Sequence, residues 1–188
     1  NLFGQPDWYD TFDTEANWNP STGSDGGFAI ADGRMEMFTS REDGFDIWLL
    51  TAPDVANGYV EAVFSTGEYC NQYDRYGLVV RSPQVNKGIF FGVTCNGTYS
   101  LREWNGQRWN NFTGFKKSDL VRQGGSQSNI IGIYFEEELL SMYINGTLVE
   151  SIRIQGNYVH SGRFGVFIAA EITEGFTVYV DEIAMWGY

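Results

Sequence analysis

Proline is scarce in this chain, at 4 of 188 residues, and there is one histidine and two cysteines. A single histidine, His160, leaves no material for a histidine-built zinc site or for repeated Ser-His-Asp chemistry. It precedes Ser161-Gly162 in what reads as a loop, and is expected to be an exposed polar residue. The two cysteines lack metal-ligand spacing, and no glycine-rich phosphate loop leads into a helix. Lys and Arg together number 12 against 24 Asp and Glu, a formal net charge of −12. That excludes the basic footprint of a direct nucleic-acid binder and disfavours an anionic membrane surface. No run of about 18 apolar residues is present, so no membrane-inserting helix is encoded. The sequence starts at Asn1 with neither an n-region nor an h-region, as expected of a processed or excerpted chain.

What is abundant points to β-structure. Hydrophobic residues make up 43% and aromatic residues 16%, so the chain can bury a core, and its length suits one domain over 1–188. Glycine, at 23 residues, supplies many turns. Strand-like runs recur throughout: FAIADGRMEMFT, FDIWLLTAP (ended by Pro53), GYVEAVFST, YGLVVRS, LLSMYINGTLVESIRI, RFGVFIAAE and FTVYVDEIAMW. Four Asn-Gly or Asp-Gly pairs, at 32–33, 96–97, 105–106 and 145–146, predict two-residue type I′ hairpins. KKSDLVRQGG has room for a helical turn or two, and no long amphipathic helix is legible. The expectation is an antiparallel sandwich or barrel of about ten to fourteen strands.

The segment IFFGVTCNGTYSLREWNGQRWNNF, residues 89–112, carries bulky groups on both faces of its strands. With two-residue turns, Phe91 stands opposite Arg102, Arg102 opposite Trp109 and Glu103 opposite Arg108. One face then collects Ile89, Phe91, Val93, Arg102, Trp104 and Trp109. Arg102 beside Trp109 suits a cation–π pair, and Glu103 with Arg108 an ion pair. Two readings stand side by side. The groups are cross-strand pairs that hold hairpins together, or they form a sugar-binding surface in which rings stack on pyranose faces and guanidinium groups donate to hydroxyls. The second reading assigns Trp104, Arg102, Trp109 and Arg81 to one exposed patch, with Tyr99 and Trp48 as neighbours. Cys70 and Cys95 are either two buried thiols or one disulfide. Cys95 precedes a hairpin turn and Cys70 a strand that should lie nearby, which favours the disulfide and an oxidising, extracellular or cell-surface setting.

YGLVVRSP, KGIFFGVTCNGTYSLREWNG, LLSMYINGTLVESI, SGRFGVFIAAE and FTVYVDEIAMW, with DTFDTEANW and FAIADGRMEM at the front, resemble bacterial extracytoplasmic domains of the concanavalin A-like lectin/glucanase superfamily, near the domain called 3-keto-disaccharide hydrolase. The resemblance spans nearly the whole chain and implies an all-β, antiparallel two-sheet jelly roll. It does not choose among lectins, hydrolases and adhesive modules. The Glu-x-Asp-x-x-Glu motif of laminarinase-type hydrolases is missing. Glu136, Glu137 and Glu138 point to alternating faces and read as a solvated hairpin end. By the same resemblance, one structural calcium would tie the N-terminal segment to the last strand, with Asp13 and Asp181 as ligands. Sequons at Asn96, Asn111 and Asn145 would accept glycans in a cell that uses them. Residues 1–10 could form an N-terminal arm. Three functions are ranked: a non-catalytic recognition module for carbohydrate, a surface or filament subunit that self-assembles or meets another surface protein through strands, and a glycoside hydrolase.

Overall fold

The computed structural model describes residues 4–156 and 158–188. Among them there are sixteen strands and no helix: β1 (Trp8–Asp10), β2 (Thr22–Gly23), β3 (Gly26–Ala31), β4 (Arg34–Thr39), β5 (Ile47–Val55), β6 (Gly58–Thr66), β7 (Arg75–Ser82), β8 (Gly88–Thr94), β9 (Thr98–Trp104), β10 (Trp109–Asn111), β11 (Lys116–Lys117), β12 (Ser128–Glu136), β13 (Leu139–Ile144), β14 (Thr147–Arg153), β15 (Gly162–Ala169) and β16 (Phe176–Gly187). Nine strands make one sheet, ordered β14-β13-β12-β6-β16-β4-β3-β2, with β1 on the C-terminal half of β16. Seven make the other, ordered β10-β9-β8-β7-β15-β5, with β11 on the start of β9. Every pairing is antiparallel, and β16 and β15 return to lie beside β6 and β7, as in a jelly roll.

Period-two alternation puts one face of each sheet into a shared core. Val60, Ala62 and Phe64 of β6 and Ile131, Ile133 and Phe135 of β12 meet Leu78 and Val80 of β7, Phe91 of β8 and Val166 and Ile168 of β15. Alternation breaks where bulges intervene. In β16 the inward residues are Val178 and Val180, then Ile183 and Met185, because the register shifts between Val180 and Glu182.

Two of the four turns form as predicted. Asp32-Gly33 joins Ala31 to Arg34 and Asn145-Gly146 joins Ile144 to Thr147, all four residues at positive φ. The other two differ. Across β8–β9 the pairs are Val93 with Tyr99 and Phe91 with Leu101, so Cys95, Asn96 and Gly97 form a three-residue loop. Gly97 N–H donates to Thr94 O (3.0 Å) and Gly97 takes φ +83°, a type I turn closed by a glycine bulge. Across β9–β10, Trp104 pairs with Trp109, so the turn is centred on Gly106-Gln107, and Asn105 Oδ1 accepts from the Gln107 and Arg108 N–H groups at 3.0 Å.

Three further expectations are corrected. Residues 7–10 are not a free arm: Asp7 N–H donates to Met185 O, and β1 pairs with β16; residues 1–3 lie outside the described residues. Pro53 does not end its strand. β5 runs on to Val55 along the sheet edge, where a missing N–H costs no ladder bond. KKSDLVRQGG holds only β11 and turns. The Cys70–Cys95 disulfide is present, with Cα atoms 5.3 Å apart. Beside it, the fully buried Asp74 accepts the N–H groups of Asn71, Glu171 and Ile172 and the hydroxyl of Thr173, tying the β6–β7 and β15–β16 loops to one carboxylate.

Candidate functional site

The outward face of the seven-stranded sheet is apolar at its centre. Val79, Phe90 and Phe167 form a buried cluster there, covered by Trp48, Leu50, Trp104 and Trp109, all partly buried. Two glycines make the cluster fit. Gly77 pairs with Gly92, and a Cβ on Gly92 would stand 2.5 Å from Phe167 Cζ, so the Phe167 ring occupies the space that a side chain would fill. Phe90 is the hub, edge-on to Trp48 (centroids 5.2 Å), Trp109 (5.0 Å) and Phe167 (5.3 Å). Trp104 and Trp109 lie 5.2 Å apart at 48°. Trp48 Nε1–H donates to Val85 O (2.9 Å), so the loop between β7 and β8 holds that indole in place.

Beneath the rings is a buried charge network. Asp46, at 4% exposure, accepts from Arg75 Nε (3.2 Å) and Nη2 (3.1 Å) and from Arg102 Nη2 (2.9 Å). Arg75 also donates to Glu171 Oε1 (2.6 Å) and to Gly44 O. The Arg102 guanidinium lies 4.3 Å from the Trp109 centroid, and its buried Nε has no hydrogen-bond partner among the described residues. Burial pushes Arg102 below the ordinary arginine range. Burial acts the same way on Arg75, but Asp46 and Glu171 outweigh it and hold that group above its usual value.

Two adjoining clefts open on this face and share Phe45, Asp46 and Trp48. One, of about 430 Å3, continues to Asp43, Trp104 and Trp109; the other, of about 400 Å3, continues to Asn19, Leu50, Val85 and Arg163. A smaller hollow of about 220 Å3 extends the second along Asn19, Leu50, Arg163 and Trp18. Together they form a trough with Trp48 at its middle, in the size range of ligand sites. Its carboxylates are engaged. Asp46 lies between two guanidinium groups, and Asp43 is bound by Arg41, whose guanidinium also covers the Phe45 ring.

Trp104, Arg102, Trp109 and Trp48 thus come together on one face of the sheet. Arg102 is buried rather than exposed, and it pairs across the ladder with Phe90 and Asn111 while reaching Trp109 diagonally. The three-residue loop moves β8 by one position, which puts Phe90 on the outward face and Ile89, Phe91 and Val93 in the core. Tyr99 is on the core side, its hydroxyl donating to Glu150 Oε2 (3.1 Å). Arg81 also leaves the patch. At φ +50° its side chain turns into the sandwich edge, donating to Ala56 O (3.1 Å) and Glu137 O (2.7 Å). Glu103 accepts from Asn110 (2.9 Å) instead of pairing with Arg108. Phe45, Asp46, Phe90 and Arg163 were not singled out in the sequence. Phe90 would follow from the correct loop length; Asp46 and Arg163 carry no local signal.

Asp13 accepts from Thr11 (2.7 Å) and Asp181 from Ser65 (2.8 Å), and among the described residues no group of three or more His, Cys, Asp or Glu is placed to hold a metal ion. Of the sequons, Asn145 is fully engaged, accepting from Ile130 N–H and donating to Leu120 O and Asn129 Oδ1. Asn96 accepts from Thr94 (2.7 Å), and Asn111 is exposed. Glu137 and Glu138 form the solvated β12–β13 turn.

No family model and no curated protein sequence matches the chain. Solved structures do. A carbohydrate-binding module, CBM66 from Bacillus subtilis, superposes with a TM-score of 0.67 at 15% identity, covering 88% of this chain and 94% of its own. A Bacillus licheniformis beta-glucanase gives 0.67 at 11%, covering 98% and 99%. The Emp47p carbohydrate recognition domain gives 0.61 at 16%, covering 95% and 93%. The fold is therefore the concanavalin A-like jelly roll, shared by binding modules and hydrolases alike.

Proposed function

We propose that this chain is a carbohydrate-recognition module that binds a glycan along the trough. One observation carries the reading: Trp48, Trp104 and Trp109 are held in place on a rigid sheet over a packed Phe90–Phe167 floor, yet leave ring area facing the cleft. Ordered aromatic rings beside hydrogen-bonding groups suit the alternating apolar and hydroxyl faces of pyranoses, and they bind with little loss of side-chain freedom. Likeness in fold to carbohydrate-binding proteins supports the reading. The disulfide supports an extracellular or cell-surface setting.

The test is a titration of soluble polysaccharides by calorimetry with the wild type and Trp104→Ala. The expected outcome is binding of at least one glycan, weakened about tenfold or more by the substitution. Thermal stability should fall only modestly, because Trp104 is partly exposed. Unchanged affinity in Trp104→Ala, or no glycan bound near millimolar protein, refutes the reading.

A further inference from the structure

Charges along the trough are unevenly matched. The chain carries twice as many carboxylates as cationic side chains, so a guanidinium in a cleft has many candidate partners. Asp43 and Asp46, the carboxylates that line the trough, are each bound by arginine. Arg163 is the cationic residue lining it, at the junction of the second cleft and the smaller hollow. Among the described residues it has neither an ion-pair nor a hydrogen-bond partner for its guanidinium. Its cross-strand neighbour Asp54 is exposed and forms no ion pair with it.

The backbone fixes where Arg163 stands. The ladder shifts register between Arg163 and Gly165 on both sides of β15. Gly162, at φ +153°, and Gly165 both lie where a Cβ would collide with neighbouring backbone, at 2.4 Å from Ser82 C and 1.9 Å from Leu49 O. A bulge clamped in this way re-aims a side chain and holds it there. Arg102 adds a second sign of the same polarity. It is more than nine-tenths buried under Trp109, with a donor, Nε, that no group among the described residues satisfies.

We propose that the glycan taken by this trough bears carboxylates, with Arg163 pairing a uronate while the tryptophans stack on its rings. A planar guanidinium fork matches a carboxylate through two charge-assisted hydrogen bonds. This rests on the reading of the trough as a glycan site and adds the class of sugar.

The experiment measures affinity for polygalacturonate, alginate and hyaluronan, each beside its carboxyl-reduced form, with the wild type and Arg163→Gln. The wild type should prefer at least one acidic polymer over its reduced form by about tenfold to a hundredfold. The preference should shrink with added salt and vanish in Arg163→Gln, whose melting temperature should match the wild type. Equal binding of acidic and reduced forms, or a preference that survives in Arg163→Gln, overturns the proposal while leaving glycan recognition intact. Binding of none of these polymers, together with no neutral glycan, removes both.

Discussion

Asp46 is the residue on which the charge beneath the trough balances. Two guanidinium groups share its carboxylate, and all three side chains are nearly inaccessible. Desolvation makes such groups costly, so removing the one anion should do more harm than the ion pairs do good. Asp46→Asn should lower unfolding free energy by about 3–5 kcal/mol in a denaturant titration. Arg102 should also lose its hold under Trp109, with a change in tryptophan fluorescence. A loss under about 1 kcal/mol, the range of exposed pairs, would contradict this account.

At the scale of strands, the trough depends on which face each side chain takes, and single-residue events in the backbone decide it. The bulge loop at Gly97 turns Phe90 outward, and the αL geometry at Arg81 turns its guanidinium inward. The pairing of Gly77 with Gly92 makes the flat seat on which Phe167 rests. Gly92→Ala should push Phe167 against Phe90 and cost about 1–3 kcal/mol, in the range of overpacked cores. It should also weaken any trough ligand, by displacing the floor under Trp48 and Trp109. A variant with unchanged stability and affinity would show that the seat is not tight.

For the molecule as a whole, tyrosines held protonated by burial and by carboxylate partners are expected to weaken stability at alkaline pH. Burial pushes the Tyr76 hydroxyl up to about 12, although Asn129 Nδ2, donating to it at 2.9 Å, pulls the other way. Burial followed by Glu150 does the same for Tyr99, to about 12, and the bond to Glu136 followed by burial for Tyr134, to about 12. An unfolded tyrosine ionises near 10. These folded values are raised, so the stabilisation is fully present below pH ~10. It is lost as pH rises towards about 12, because the unfolded chain releases its protons first. Tyr76 alone should account for about 3 kcal/mol. Denaturant titrations should give a flat stability from pH 7 to 9 and a steep fall above 10. Tyr76→Phe should soften that fall, at a neutral-pH cost of about 1–3 kcal/mol for the unpaired Asn129 donor. A decline that begins near pH 8 would refute the assignment.

Local sequence decided what depends on near neighbours. Alternation marked the strands, and the pairs Asp32-Gly33 and Asn145-Gly146 marked their hairpins, because positive φ at both turn positions is a property of those residues. The co-facing of Arg102, Trp104 and Trp109 was also legible, since a register slip of two preserves parity. A slip of one does not, and the choice between a two- and a three-residue loop at Asn96-Gly97 rests on contacts that the hairpin makes elsewhere. There Cys95 is bonded to Cys70, and Asn96 N–H donates to Gln72 O. Asp46 and Arg163, at the trough, and Arg75, buried beneath it, come from three separate strands or their flanks, and only the packing of β5, β7 and β15 brings them together. Pairings between strands distant in sequence are set by the fit of whole faces, which no short stretch of residues encodes.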